Sequence, residues 1–241
     1  MKIVGIILAR GGSKSIPSKN IKEFCGKPLI AWTIESAKKS KLLDRVIVST
    51  DDERIAAVAR EYGAETSFLR PKELATDSMG VEPVLKHAFE WLRDNEKYEA
   101  DALALLPATT PTRQSFHIDE AITIFKERGA DSVVAVNETP ANHTPYWTLV
   151  RGKEGKVTLW GGVPLKEIHV RRQEFPQQCY ARNDLIYVLK PKNLYDPEKP
   201  NLYGDKVELY VVNEPAKYEM DINTPDEWLV SELKFKRLFL S

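Results

Sequence analysis

Short apolar runs alternate with helix-period segments along most of this chain, and no other feature restricts its fold as strongly. Near-continuous apolar runs read as strands buried on both faces, and the helices between them as crossovers of a parallel sheet. Strands are expected at Lys2 to Ala9, Arg45 to Ser49, Thr66 to Leu69, Ala102 to Leu106 and Ser132 to Val136. The first helix starts at Pro28, a position that tolerates proline, and Leu29, Trp32, Thr33 and Ser36 to Ala37 keep its period. Further helices are expected over Asp52 to Tyr62, Val81 to Asn95 and Ser115 to Arg128. After about residue 138 turn formers, aromatics and charge replace the alternation, which predicts a flap or arm over residues 139–178 of a single domain spanning 1–241. The alternation returns at Leu185 to Leu189 and Val207 to Val212, and an amphipathic helix runs from Pro225 to about Phe239.

The chain has 241 residues, enough for one α/β domain with a sizeable core. Lys+Arg and Asp+Glu both number 35, so no excess positive field favours a nucleic-acid backbone or an anionic membrane, and small-molecule partners are expected. The apolar run Ile3 to Ala9 is far shorter than the roughly 20 residues that span a bilayer, and it lacks the flanks of an export signal. Cys25 and Cys179 are far apart with no Cys-x-x-Cys spacing, which reads as two free thiols in a reducing compartment. A cytoplasmic location is expected.

Directly after the first strand stands Leu8-Ala9-Arg10-Gly11-Gly12-Ser13-Lys14-Ser15-Ile16-Pro17-Ser18-Lys19-Asn20. Open α/β sheets bind ligands at the carboxyl ends of their strands. Gly11 and Gly12 let the backbone turn and offer N–H groups to an anion, while Arg10, Lys14 and Lys19 add charge and Ser13 and Asn20 add directional donors. A triphosphate suits this loop. A solvated strand-to-helix loop is the plainer alternative, and the absence of Gly-x-x-x-x-Gly-Lys-[Ser/Thr] argues against a P-loop kinase.

A second cluster, Glu219-Met220-Asp221-Ile222-Asn223-Thr224-Pro225-Asp226, is expected at a strand end before the last helix. Alternation puts Asp221 and Asn223 on one side of an extended segment, where both oxygens can face a hard cation, Mg²⁺ above all. Helix capping by Asn223 or Thr224 is compatible with the same pattern. His87, His117, His143 and His169 show no metal-ligand spacing.

The first loop followed by Gly26-Lys27-Pro28-Leu29-Ile30 resembles the signature of the acylneuraminate cytidylyltransferase family, also called CMP-sialic acid synthetases. Val48 to Asp52, Arg70 to Ser78, Leu105 to Arg113, Arg171-Arg172-Gln173, Asn183 to Tyr187 and Asn201 to Gly204 fall in matching order. The resemblance implies a Rossmann-like, mostly parallel central sheet with helices on both faces, of the nucleotide-diphospho-sugar transferase type, plus a small dimerisation flap. It implies a cytidylyltransferase that joins an acidic nonulosonic sugar to CMP from CTP, with release of pyrophosphate, and that works as a homodimer.

By the same resemblance, Arg10, Gly11, Gly12, Ser13, Lys14, Lys19, Asn20, Arg70, Asp77 and Ser78 bind the nucleotide. Arg172, Gln173, Arg182 and Tyr187 line the sugar pocket, Arg10, Lys19 and Arg172 serve catalysis, and Asp221 and Asn223 hold Mg²⁺. Three departures stand out, the first bearing on metal affinity and preference and the other two on substrate. Asn223 stands where a second carboxylate is common, Pro107 where sialate-specific relatives carry a glutamine, and Met79 and Val81 where small hydroxyl residues are usual. A lost glutamine removes a polar contact that discriminates strongly when buried. Activation of a 3-deoxy-octulosonate or another sugar is one alternative, and a nucleotide-binding protein without catalysis is another.

Overall fold

The run Ile3–Leu8 becomes strand β1, with its first five residues buried. Its place inside the sheet, with a neighbour on each side, explains that composition. The computed structural model describes residues 1–240 and builds a six-stranded sheet on β1, β4 (Arg45–Ser49), β5 (Ala102–Leu105), β6 (Ser132–Glu138), β9 (Tyr180–Leu189) and β10 (Val207–Val211). The strand order is β10-β6-β9-β5-β1-β4. Strand β1 pairs in parallel with β4 on one side and β5 on the other, and β9 runs antiparallel to β5. The result is an α/β fold on a mostly parallel sheet.

Helices α1 (Leu29–Lys38), α2 (Glu53–Glu61), α3 (Val81–Glu96) and α4 (Ser115–Arg128) lie between strands. Ile3 and Ile7 of β1 join one core cluster with Ile30 and Ile34 of α1, Ile55 of α2, and Ile118 and Phe125 of α4. Val4 and Ile6, equally buried, alternate to the opposite face, and α3 packs against β1 with Val84, Leu85, Ala88 and Leu92 buried. Helices therefore cover both faces. A second cluster joins the small hairpin of β2 (Glu23–Phe24) and β3 (Lys27–Pro28) to helix α6 (Pro225–Phe239): Phe24 meets Trp228 and Phe235 edge-on, both with ring centroids at 5.4 Å.

Helix ends follow local chemistry. Asp52 caps α2 by accepting from the Arg54 amide, and Thr224 caps α6 in a capping box with Glu227, with Pro225 opening the helix. Gly204 is positive in φ at +67°, and a Cβ there would sit 2.7 Å from both Asn193 Oδ1 and Asp131 Cβ. No other residue fits.

Two expectations need correction. Thr66 to Leu69 is not a strand: isolated bridges join Glu65 to Ile47 of β4 and Leu69 to Thr50 just beyond it, and between them Phe68 packs on His87 and Trp91, both centroids at 5.1 Å. Residues 219–224 are not at a strand end either, since Pro215 opens a short helix, α5 (Pro215–Tyr218), between β10 and that segment.

The chain divides into two compact units, residues 1–135 with 183–241, and residues 136–182. The second holds a hairpin of β7 (Leu149–Arg151) and β8 (Val157–Leu159), several 3-10 turns, and an aromatic cluster of Tyr146, Trp147, His169 and Phe175. Cys25 and Cys179 are free thiols, and no described helix is long and apolar enough to cross a membrane.

Candidate active site

The loop after β1 is held in shape by its own polar groups. The Gly11 amide donates to Asp51 Oδ1 at 2.9 Å, and Ser13 N donates to Gly11 O at 3.0 Å. Gly11 is required here because a Cβ would fall 2.8 Å from Asp52 Oδ2 and 2.9 Å from Asp52 Cβ, the residue that caps α2. Asn20 is buried, and its amide donates to the Arg10 carbonyl at 3.0 Å, bracing the loop from within. The carboxylate of Asp77 bridges Arg10 and Lys14, and these two cations hold it below the usual carboxylate range, Lys14 contributing most. Ser78 is exposed beside it.

Arg70 is 6% exposed and donates to the hydroxyl and carbonyl of Ser49 at the end of β4. Burial pulls its pKa down to about 10, against the opposing pull of the Asp51 carboxylate. Arg10, Arg70, Thr76, Asp77, Met79 and Val84 line a hollow of about 230 Å³ at this end of the sheet.

Lys19 reaches the second cluster. Its ammonium donates to Ile222 O at 2.7 Å and Asn223 Oδ1 at 3.2 Å. Burial lowers its pKa, with Asp221 opposing the shift and Arg10 adding to it. Met220 and Ile222 are buried in the α6 cluster, so the intervening Asp221 and the following Asn223 face outward together, and the Asn223 amide donates to Asp221 Oδ2. The Asn223 amide turns its nitrogen to the Asp221 carboxylate and its oxygen to Lys19, so on a segment pinned at alternate residues the carboxylate is the hard donor suited to Mg²⁺. That ion commonly takes one or two protein carboxylates and completes its shell with substrate phosphates and water. Among the described residues no group of three or more His, Cys, Asp or Glu is arranged to hold a metal alone.

Tyr187 lies on β9 with its ring buried, and its hydroxyl donates to Asp184. Arg172 and Gln173 belong to the second unit, where they line a hollow of about 460 Å³ with Glu138, Thr139, Phe175 and Cys179. The neighbouring Arg171 is taken by Glu174, at 2.7 Å. Arg182 ends that unit on β9, and its side chain is exposed.

Sequence reasoning did not single out Asp51, which holds the Gly11 amide, or Arg113, which is 1% exposed and has no carboxylate partner among the described residues. Arg113 carried a faint signal, as the one cation in the apolar and Thr-rich stretch that leads to α4.

A cation-rich glycine loop at the carboxyl end of β1, tied by Lys19 to a carboxylate–amide pair, defines an α/β nucleotidyltransferase-type site. Residues 4–145 match the family described as cytidylyltransferase, and the chain belongs to that family. It is 33% identical to a CMP-N,N'-diacetyllegionaminic acid synthase of Legionella pneumophila, over 96% of this chain and 95% of that protein. It is 34% identical to the protein of the same name from Campylobacter jejuni, over 98% of this chain and 92% of that one. A solved CMP:2-keto-3-deoxy-manno-octonic acid synthetase complexed with CTP superposes with a TM-score of 0.70 over 98% of this chain and 99% of that one, and at 16% identity it shares the fold.

Proposed function

We propose that the protein activates an acidic nonulosonic sugar by transferring CMP from CTP, with N,N'-diacetyllegionaminate the first acceptor to try. Near end-to-end similarity to two CMP-N,N'-diacetyllegionaminic acid synthases carries this reading. Pro107 agrees with an acceptor other than N-acetylneuraminate, since it offers no side-chain donor where sialate-specific relatives carry a glutamine.

In this reaction the anomeric hydroxyl of the sugar attacks the α-phosphorus of CTP, the new C–O–P bond forms, pyrophosphate departs and the hydroxyl proton is released. Arg10, Lys14 and Lys19 bind the triphosphate and stabilise the charge that gathers on its oxygens, which is the main contribution a protein makes to such a transfer. Triphosphate binding exchanges Asp77 for phosphate at Arg10 and Lys14. Gly11, Gly12, Ser13 and Asn20 shape the loop around it, and Arg70, Asp77 and Ser78 border the nucleotide. Arg172 pairs with the sugar carboxylate, because a planar guanidinium takes a carboxylate in bidentate fashion, with Gln173, Arg182 and Tyr187 around the same sugar. Asp221 and Asn223 would hold Mg²⁺, which neutralises phosphate charge and orients the leaving group when bound.

The protein acts as a homodimer in the cytoplasm. Trp160 and Val170 of the second unit, 64% and 78% exposed, supply apolar surface for the partner copy, so the species in solution has about twice the mass of one chain. Acceptor sugar labelled with ¹⁸O at the anomeric hydroxyl tests the direction of attack by mass spectrometry. The label is expected in the CMP-sugar; label in pyrophosphate, or no CMP-sugar, would sink the reading.

A further inference from the structure

Arg113 is among the largest fully buried side chains of the protein, and the mechanism above leaves it unused. Its Nε donates to Leu185 O on β9, its Nη1 to Thr33 Oγ1 on α1 at 3.1 Å, and its Nη2 to Pro107 O in the loop after β5 at 2.8 Å. Thr33 Oγ1 in turn donates to Pro107 O at 3.4 Å. All of these acceptors are neutral. Burial of a guanidinium without a counter-ion is costly, and burial pulls its pKa down to about 9. An apolar side chain would fill that space more cheaply. What an apolar side chain lacks is a rigid fork of donors that fixes three acceptors at set angles.

The loop so fixed holds the Asp221–Asn223 segment. Thr109 O accepts from the amide of Ile222, the residue between Asp221 and Asn223, at 3.2 Å. Three residues on, Thr112 Oγ1 donates to Tyr218 O at 2.6 Å, where that segment begins. Thr110 Oγ1 donates to Asp184 O at 3.3 Å, which ties the same loop back to β9. The loop contributes only backbone carbonyls and hydroxyls to these contacts, so its own position has to come from elsewhere.

Resting on the assignment of Asp221 and Asn223 to the metal, we propose that Arg113 is a positioning residue for the metal site: it locks the loop of residues 107–112 between α1 and β9, and the loop sets where Asp221 and Asn223 stand. Groups that orient ligands from behind typically change metal affinity by about 10–100-fold when removed.

The test measures Mn²⁺ binding to the full chain by electron paramagnetic resonance, without sugar, together with metal-free CTP binding and the Mg²⁺ dependence of turnover. Arg113→Met is expected to raise the Mn²⁺ dissociation constant about tenfold, and Arg113→Lys to recover part of that loss. Metal-free CTP binding stays within about twofold of wild type, and excess Mg²⁺ restores most of kcat, which general destabilisation would not produce. Thr112→Val, nearly the same shape, removes the Tyr218 tie alone and is expected to shift Mn²⁺ affinity about threefold in the same direction; it decides the matter if Arg113→Met does not fold. Leu92→Ala, a core truncation in α3, should lower Tm and leave Mn²⁺ affinity in place. Wild-type Mn²⁺ affinity in both Arg113→Met and Thr112→Val, or an equal shift in Leu92→Ala, overturns the inference. So does a wild-type protein that binds CTP and no Mn²⁺. Missing pyrophosphate release with every acidic sugar would instead overturn the proposed reaction alone, because the Mn²⁺ measurement contains no sugar.

Discussion

Asn223 shows how much one side chain decides. Its amide group donates to Asp221 and its oxygen accepts from Lys19, so it sits as a neutral spacer between an anion and a cation. A carboxylate in its place would add negative charge to the donor set, and ligand charge is one of the main determinants of affinity for hard cations. Asn223→Asp is therefore expected to lower the half-saturating Mg²⁺ concentration by roughly fivefold, read from initial rates at saturating CTP. Unchanged or weaker Mg²⁺ dependence would mean that residue 223 stands outside the metal shell. The shared outward face of Asp221 and Asn223 was legible in sequence through simple alternation, and the burial of Met220 and Ile222 shows why the alternation holds without a strand. Arg113 was not legible. Its meaning depends on carbonyls of Leu185 and Pro107, and backbone carbonyls have no signature in a sequence.

Helix α4 starts with an unusual cap. The Gln114 amide donates to His117 Nδ1 at 3.0 Å, which needs a neutral imidazole, and the ring is packed at 1% exposure among Phe116, Tyr210 and Tyr218. Burial, followed by the nearby Arg113 charge, pulls its pKa down to about 3. An unfolded histidine takes up its proton near pH 6.5, so below that pH the unfolded chain binds a proton that the folded chain refuses. Stability is then fully present above about pH 6.5 and falls on acidification, by about 2 kcal/mol between pH 6.5 and 5 from this group alone. Urea titrations across that window should show the slope in the wild type and a flatter one in His117→Asn, which can still accept at the cap. An identical slope in both would refute the assignment. The elements themselves followed from periodicity: α4 and α6 match their expected bounds, α2 is one residue shorter at each end, and α3 runs one residue further at its C-terminus. Thr66 to Leu69 failed because β-branched and apolar character is shared by strands and by loops that bury one aromatic, and Phe68 found its partners on α3.

For the whole molecule, the alternating pattern specified an α/β sheet but not its order, since nothing local in β9 records that it inserts antiparallel beside β5. The same limit applies to function. The glycines and cations of the Arg10 to Asn20 loop stand together in sequence, whereas the side chains proposed to read the acceptor, Arg172, Arg182 and Tyr187, do not form one contiguous motif. The proposed reaction, CTP-dependent activation of a nonulosonic acid, releases one pyrophosphate per turnover. The most direct test is pyrophosphate release with Mg²⁺ across a panel of acidic nine-carbon and eight-carbon sugars, with ATP, GTP and UTP in place of CTP as controls. Release with CTP and a nine-carbon acid, and not with the other nucleotides, is the expected result; release only with an eight-carbon acid, or none with any sugar, would contradict it.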